Sequence, residues 1–155
     1  RRRDALLLRR HRQNGRAGTC RVKAGEQLIG RLATGIGMGT TFTQLDWAKN
    51  QFRNRVGIDP FPGTVNVIID DPDSMPVWVR LKMTHGILMD NPNDGPHDCD
   101  AKCWLVSIDG RIDGAIVYPL VESYPPSQVE VIAPIGVRKE LGIEDGDTMT
   151  LTLTG

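Results

Sequence analysis

The sequence predicts a mainly β fold, a small barrel carrying one or two short helices. Three observations point there. Short β-rich runs recur between turn residues. Asp109-Gly110 separates two alternating runs, which is a hairpin signal. Strands and helices do not alternate as βαβ units, so a parallel sheet is disfavoured.

In chain order, "QLIGRLATG" (27–35) reads as a strand entering a glycine loop, "GIGMGTT". The clearest helix follows. Thr43 is placed to cap it, with Asp46 three residues on, and Phe42 and Trp47 form a hydrophobic staple. Leu45, Ala48, Phe52 and Val56 recur at helical spacing, and Gly57 is a natural stop. "TVNVIID" (64–70), "VWVRL" (77–81), "KCWLVSI" (102–108), "RIDGAIVYP" (111–119), "QVEVIAP" (128–134) and "TMTLTL" (148–153) read as strands. The polar stretch 83–101 reads as an excursion loop. A short helix and a turn at Asp145-Gly146 precede the last strand, a shape shared with swapped-hairpin transcription factors of the AbrB type.

The chain has 155 residues, enough for one domain with a proper core. Its zero net charge hides an asymmetry. Residues 1–23 carry nine bases and one acid, leaving 10 bases against 18 acids in 24–155. The division expected is a basic extension, 1–23, and a barrel domain, 24–155. The extension reads as a disordered segment, a nucleic-acid arm or the remnant of a targeting sequence. An acidic body argues against nucleic acid as partner, since phosphate binding needs clustered Lys and Arg. No apolar run approaches the ~18 residues a membrane helix needs. Three cysteines give no disulfide framework and fit a reducing cytosol. A cytoplasmic monomer is expected.

Four motifs are candidates for chemistry. Gly35, Gly37 and Gly39 run towards a helix start; such a loop is either a plain strand-to-helix turn or a phosphate cradle. It is neither a Rossmann fingerprint nor a Walker loop. In "PFPGTVN" (60–66), Thr64 and Asn66 share one strand face, about 7 Å apart along the backbone. Two neutral oxygens so placed can meet one hard cation, Mg²⁺ above all, or they are a β-former and a turn residue. Glu130 faces away from Val129 and Val131, as a general base or as an exposed acid. "HDCDAKC" (97–103) with His85 fits no common zinc spacing, and Cys103 reads as a small buried hydrophobe.

Taken together and in order, "GRLATGIGMGTTF", "GIDPFPGTVNVII", "KCWLVSI" with "DGAIVYP", and "YPPSQVEVIAPIGVRKELGIEDGDTMTL" resemble the archaeal-type CTP-dependent riboflavin kinases. The resemblance spans residues 30 to 153. It implies a six-stranded cradle-loop β-barrel that phosphorylates the 5′-hydroxyl of riboflavin with CTP and Mg²⁺, giving FMN. It implies nucleotide contacts at Gly35, Ile36, Gly37, Met38, Gly39 and Thr40, and again at Ile135, Gly136, Val137 and Arg138. It implies Mg²⁺ ligation by Thr64 and Asn66, and flavin contacts at Glu130, the catalytic candidate, with Tyr124 and the 122 position. The family often carries Thr at that last position, where this chain has Glu122, and a longer side chain at Gly136. A non-catalytic flavin- or nucleotide-binding module and an AbrB-like DNA-binding regulator are the alternative readings.

Overall fold

The structure, a computed structural model, describes residues 22–35, 42–96 and 98–155. Its strands are β1 (Gln27–Ala33), β2 (Val65–Ile69), β3 (Ile87–Met89), β4 (Ala101–Ile108), β5 (Ile112–Pro119), β6 (Gln128–Ile132) and β7 (Thr148–Leu153). Every pairing is antiparallel, in the order β3-β4-β5-β6-β2-β1-β7. A further pairing of β7 with β4, Val106 opposite Leu153, closes six of these strands into a barrel. Closure removes the unpaired edges that an open sheet would expose. The β4–β5 turn is the predicted one: Asp109 and Gly110 both take positive φ, 50° and 68°. That backbone matches the right-handed twist of the flanking strands.

Strand parity divides the apolar residues into two clusters. Leu32, Val67, Val106, Ile116, Val131 and Leu151 each come from a different barrel strand and fill the interior. The opposite face of β4, β5 and β6, with Cys103, Ala115, Val117 and Ile132, is covered by α1 (Asp46–Gln51) and a π-helical turn (Phe52–Val56). Ala48, Phe52 and Val56 are buried there, and Gly57 ends the element at φ 82° with its N–H on Phe52 O. Phe42 meets Trp47 edge-on at 5.7 Å, but neither the staple nor the capping pair forms as predicted. The N-cap of α1 is Leu45, which makes no side-chain cap, and Leu45 is exposed rather than part of the apolar stripe. Thr43 is buried and accepts a hydrogen bond from Gly63 N at 3.0 Å instead.

The predicted strand at 77–81 is a helix, α2 (Ser74–Lys82). Its buried residues, Ser74, Trp78 and Leu81, recur at i, i+4, i+7, while Val79 is exposed. A strand would have turned Val77, Val79 and Leu81 to one face. Trp78 decides the outcome: its ring packs edge-on against Trp104 and Tyr118, and its Nε1 donates to Pro126 O. Pro76 sits within the first turn, where a missing N–H costs little. The stretch 83–101 is not all loop either, since β3 pairs with β4, Ile87 opposite Cys103. The predicted short helix after "IAP" is present as α3 (Val137–Leu141). Of the basic extension, residues 1–21 lie outside the described residues; Val22 packs against the barrel core. Among the described residues no helix is long and apolar enough to cross a membrane.

Candidate active site

Antiparallel pairing of β2 with β6 puts Asn66 opposite Glu130 and Ile68 opposite Gln128. Val65, Val67, Val129 and Val131 point into the barrel, so Thr64, Asn66, Gln128 and Glu130 share the other face. Their side chains form one hydrogen-bonded row. Thr64 Oγ1 donates to Glu130 Oε1 at 3.0 Å, and Tyr124 Oη donates to Glu130 Oε2 at 2.9 Å. Gln128 Nε2 donates to Asn66 Oδ1 at 3.2 Å and, more weakly, to Tyr124 Oη at 3.4 Å. Burial first, and then the Glu130 charge beside it, pushes the Tyr124 hydroxyl far above the ordinary phenol range. It therefore stays a donor to the carboxylate at any physiological pH.

The glycine segment enters at Gly35. Its φ is not in the left-handed region; what requires glycine is closeness. A Cβ at Gly35 would lie 2.1 Å from Asn66 Nδ2. The end of β1 thus rests on the Asn66 side chain, which is 7% exposed. Ile36, Gly37, Met38, Gly39 and Thr40 lie outside the described residues. Residues 42–44 are already helical, and after a bend at Leu45 α1 begins at Asp46, whose carboxylate lies in its first turn.

A cavity of about 630 Å³ adjoins the row through Thr64. One wall is the turn Phe61–Val65; the other is Val131, Ala133 and the segment Ile135–Glu140. Phe61 N donates to Ala133 O at 2.8 Å and ties the two walls together. Gly136 lies close to the Phe61 ring: a Cβ there would come within 3.3 Å of it, so a longer side chain would press on the ring. Arg138 reaches the base of the glycine segment, donating to Ala33 O at 3.2 Å and pairing with Asp145 at 2.7 Å. Asp145 also accepts from Thr34 Oγ1. These two donors, Thr34 first, hold the Asp145 carboxyl below its ordinary range. The Arg138 charge is therefore already partnered, and a phosphate would compete with Asp145 for it.

The structure thus gathers Gly35, Thr64, Asn66, Tyr124 and Glu130 into one row, with Ile135, Gly136, Val137 and Arg138 lining the adjoining cavity. Glu122 is exposed in the turn before Tyr124. Sequence reasoning missed Gln128, Thr34 and Asp145. Gln128 was within reach of it, being two residues before Glu130 and so on the same strand face. The row also suits a hard cation. Thr64 spends its proton on Glu130 and keeps its lone pairs, and Asn66 Oδ1 retains one beyond the bond from Gln128. Few protein oxygens suffice for Mg²⁺ when phosphates and water complete its shell. Among the described residues no cluster of three or more His, Cys, Asp or Glu forms an alternative metal site.

The sequence model of the CTP-dependent riboflavin kinase family, described as a domain of unknown function, DUF120, matches residues 32–153. The chain belongs to this family. A riboflavin kinase of Methanocella arvoryzae is 39% identical over 124 residues, covering 80% of this chain and 55% of that protein. One from Pyrobaculum arsenaticum is 33% identical, covering 81% and 60%. One from Methanothermobacter thermautotrophicus is 30% identical, covering 79% of this chain and 94% of its own length. This family member therefore spans little more than half of some relatives and nearly all of another. The match to residues 32–153 takes in every barrel strand, though only the end of β1, and all the site residues described above.

Proposed function

We propose that this chain transfers the terminal phosphoryl group of CTP to the 5′-hydroxyl of riboflavin, yielding FMN and CDP. The observation that carries the reading is the Thr64–Glu130 hydrogen bond beside the cavity that Thr64 lines. It joins a cation-suited oxygen to a carboxylate able to take a proton, beside space for a nucleotide. Family membership and relatives named riboflavin kinase supply the substrate and donor classes.

Phosphoryl transfer asks for alignment and charge stabilisation more than covalent help. Thr64 and Asn66 would hold Mg²⁺, which when bound offsets the triphosphate charge that an acidic body cannot. Glu130, steadied by Thr64 and Tyr124, orients the riboflavin 5′-hydroxyl and accepts its proton as the oxygen attacks. The phosphate chain lies along the glycine segment from Gly35, and the rest of the nucleotide occupies the cavity between Phe61 and Ile135–Arg138. The mechanism leaves Glu122 outside the reaction, free to touch only the exposed part of the flavin.

The test is a set of parallel reactions with riboflavin, Mg²⁺ and CTP, ATP, GTP or UTP. FMN formed fastest with CTP is expected. FMN formed with none of the four rejects the reading.

A further inference from the structure

Gln128 has no part in the chemistry, yet it touches both halves of the row. Its Nε2 carries two hydrogens, one directed to Asn66 Oδ1 and one to Tyr124 Oη. Reversing the Gln128 amide would set its carbonyl oxygen against Asn66 Oδ1 and draw the Tyr124 proton away from Glu130. That would leave a phenol oxygen 2.9 Å from a carboxylate oxygen with no hydrogen between them. The hydrogen bonds therefore admit one direction for the row: Gln128 donates to Tyr124, Tyr124 in turn donates to Glu130, and Asn66 presents Oδ1 towards Gln128. The other side of Asn66, Nδ2, faces Gly35.

We infer that Gln128 is a positioning residue that fixes which end of the Asn66 amide is offered to a cation, and so couples the cation ligand to the Glu130–Tyr124 pair. The inference rests on the proposed role of Asn66 as a Mg²⁺ ligand. Outer partners that orient a metal ligand commonly change metal affinity about 10- to 100-fold when removed. Packing alone does not account for Gln128 here, because its polar end is what makes both contacts.

The experiment uses the full chain and Mn²⁺ as the probe, with bound Mn²⁺ counted by electron paramagnetic resonance in the presence of CTP and without riboflavin. Gln128→Met keeps the length and packing of the side chain and removes both donors. Its Mn²⁺ affinity is expected to fall about tenfold, with the melting temperature and circular dichroism of the parent retained. Gln128→Leu also removes both donors without adding charge and is expected to lose as much; it replaces the Met variant if that one folds poorly. In an Asn66→Asp background the two oxygens are equivalent and nothing remains to orient. There the further Gln128→Met change is expected to cost less than twofold.

Equal Mn²⁺ affinity in the parent and Gln128→Met, or the same tenfold loss in the Asn66→Asp background, overturns the inference. So does a parent that binds no Mn²⁺ with CTP present. A parent that shows the expected Mn²⁺ pattern and forms no FMN rejects the kinase reading while leaving the role of Gln128 standing, because the metal readout does not depend on turnover.

Discussion

Adding one methyl group at Gly35 tests whether the glycine segment and the Asn66 face belong to one site. A Cβ there would lie 2.1 Å from Asn66 Nδ2, where ordinary contact begins at 3.4 Å, so the amide must retreat by roughly 1.3 Å. Asn66 is buried and held by Gln128 at 3.2 Å, so it cannot swing away without losing that bond. The alternative, lifting the end of β1, disturbs the Ala33–Asn66 pairing. Losing one hydrogen bond of this kind costs about 1 kcal/mol, which lowers the melting temperature by about 2–4 °C in a chain of this size. The effect on turnover is larger, because a misplacement of about 1 Å in a positioned group can cost on the order of 100-fold. Gly35→Ala is therefore expected to fold, to need several-fold more Mg²⁺ for half-maximal FMN formation, and to turn over about 100 times more slowly. FMN formation is followed by flavin chromatography across a Mg²⁺ series, and stability by calorimetry. A variant with a parental rate and a parental Mg²⁺ requirement would refute the reasoning, since the contact would then bear on nothing at the site.

Glu130→Gln removes the proposed proton acceptor while keeping its shape; turnover is expected to fall by about 10²- to 10⁴-fold, with riboflavin fluorescence quenching still reporting binding, and an undiminished rate would exclude Glu130 as the base. Phe52→Ala empties a fully buried position under the π-helical turn and is expected to cost about 3–5 kcal/mol in denaturant titration; a loss under 1 kcal/mol would mean the outer cluster is not a core. Glu26 is held below the ordinary carboxyl range, first by the hydrogen bond from Arg80 and then by the Lys23 N–H. Its stabilising effect is therefore present above that range and lost as pH falls through the lowered value. The two side chains are 25% and 36% exposed, so the effect is only about 0.5 kcal/mol. Calorimetry of the parent and Glu26→Gln should show a small gap at pH 7 that closes at acid pH; a gap that widens on acidification would reverse the assignment.

The barrel was legible because its signals are local. Asp109-Gly110 marks a turn whatever surrounds it, and alternation along "TVNVI" and "QVEVI" already sets Asn66 and Glu130 opposite in facing to the valines. The α2 segment was not legible, since "VWVRL" carries β-rich letters and its helix depends on Trp78 meeting Trp104, Tyr118 and Pro126 far along the chain. Thr43 has the letters of a helix cap but serves Gly63, twenty residues away. At the site, the residue types of Thr64, Asn66 and Glu130 pointed to the chemistry, and the resemblance to the kinase family supplied the substrate. The row itself could not be read from the letters, because the reach of Gln128 to Asn66 depends on the register of β6 against β2. The cavity likewise joins segments far apart in sequence, as the bond from Phe61 N to Ala133 O shows.

The most direct measurement is a crystal structure of the chain with Mn²⁺, CDP and FMN, collected at a wavelength where manganese scatters anomalously. An anomalous peak in contact with Thr64 Oγ1 and Asn66 Oδ1, with the FMN phosphoester oxygen beside Glu130 and the nucleotide between Phe61 and Arg138, is the result expected. Manganese and flavin bound on the face of the barrel away from Thr64 and Glu130 would contradict it.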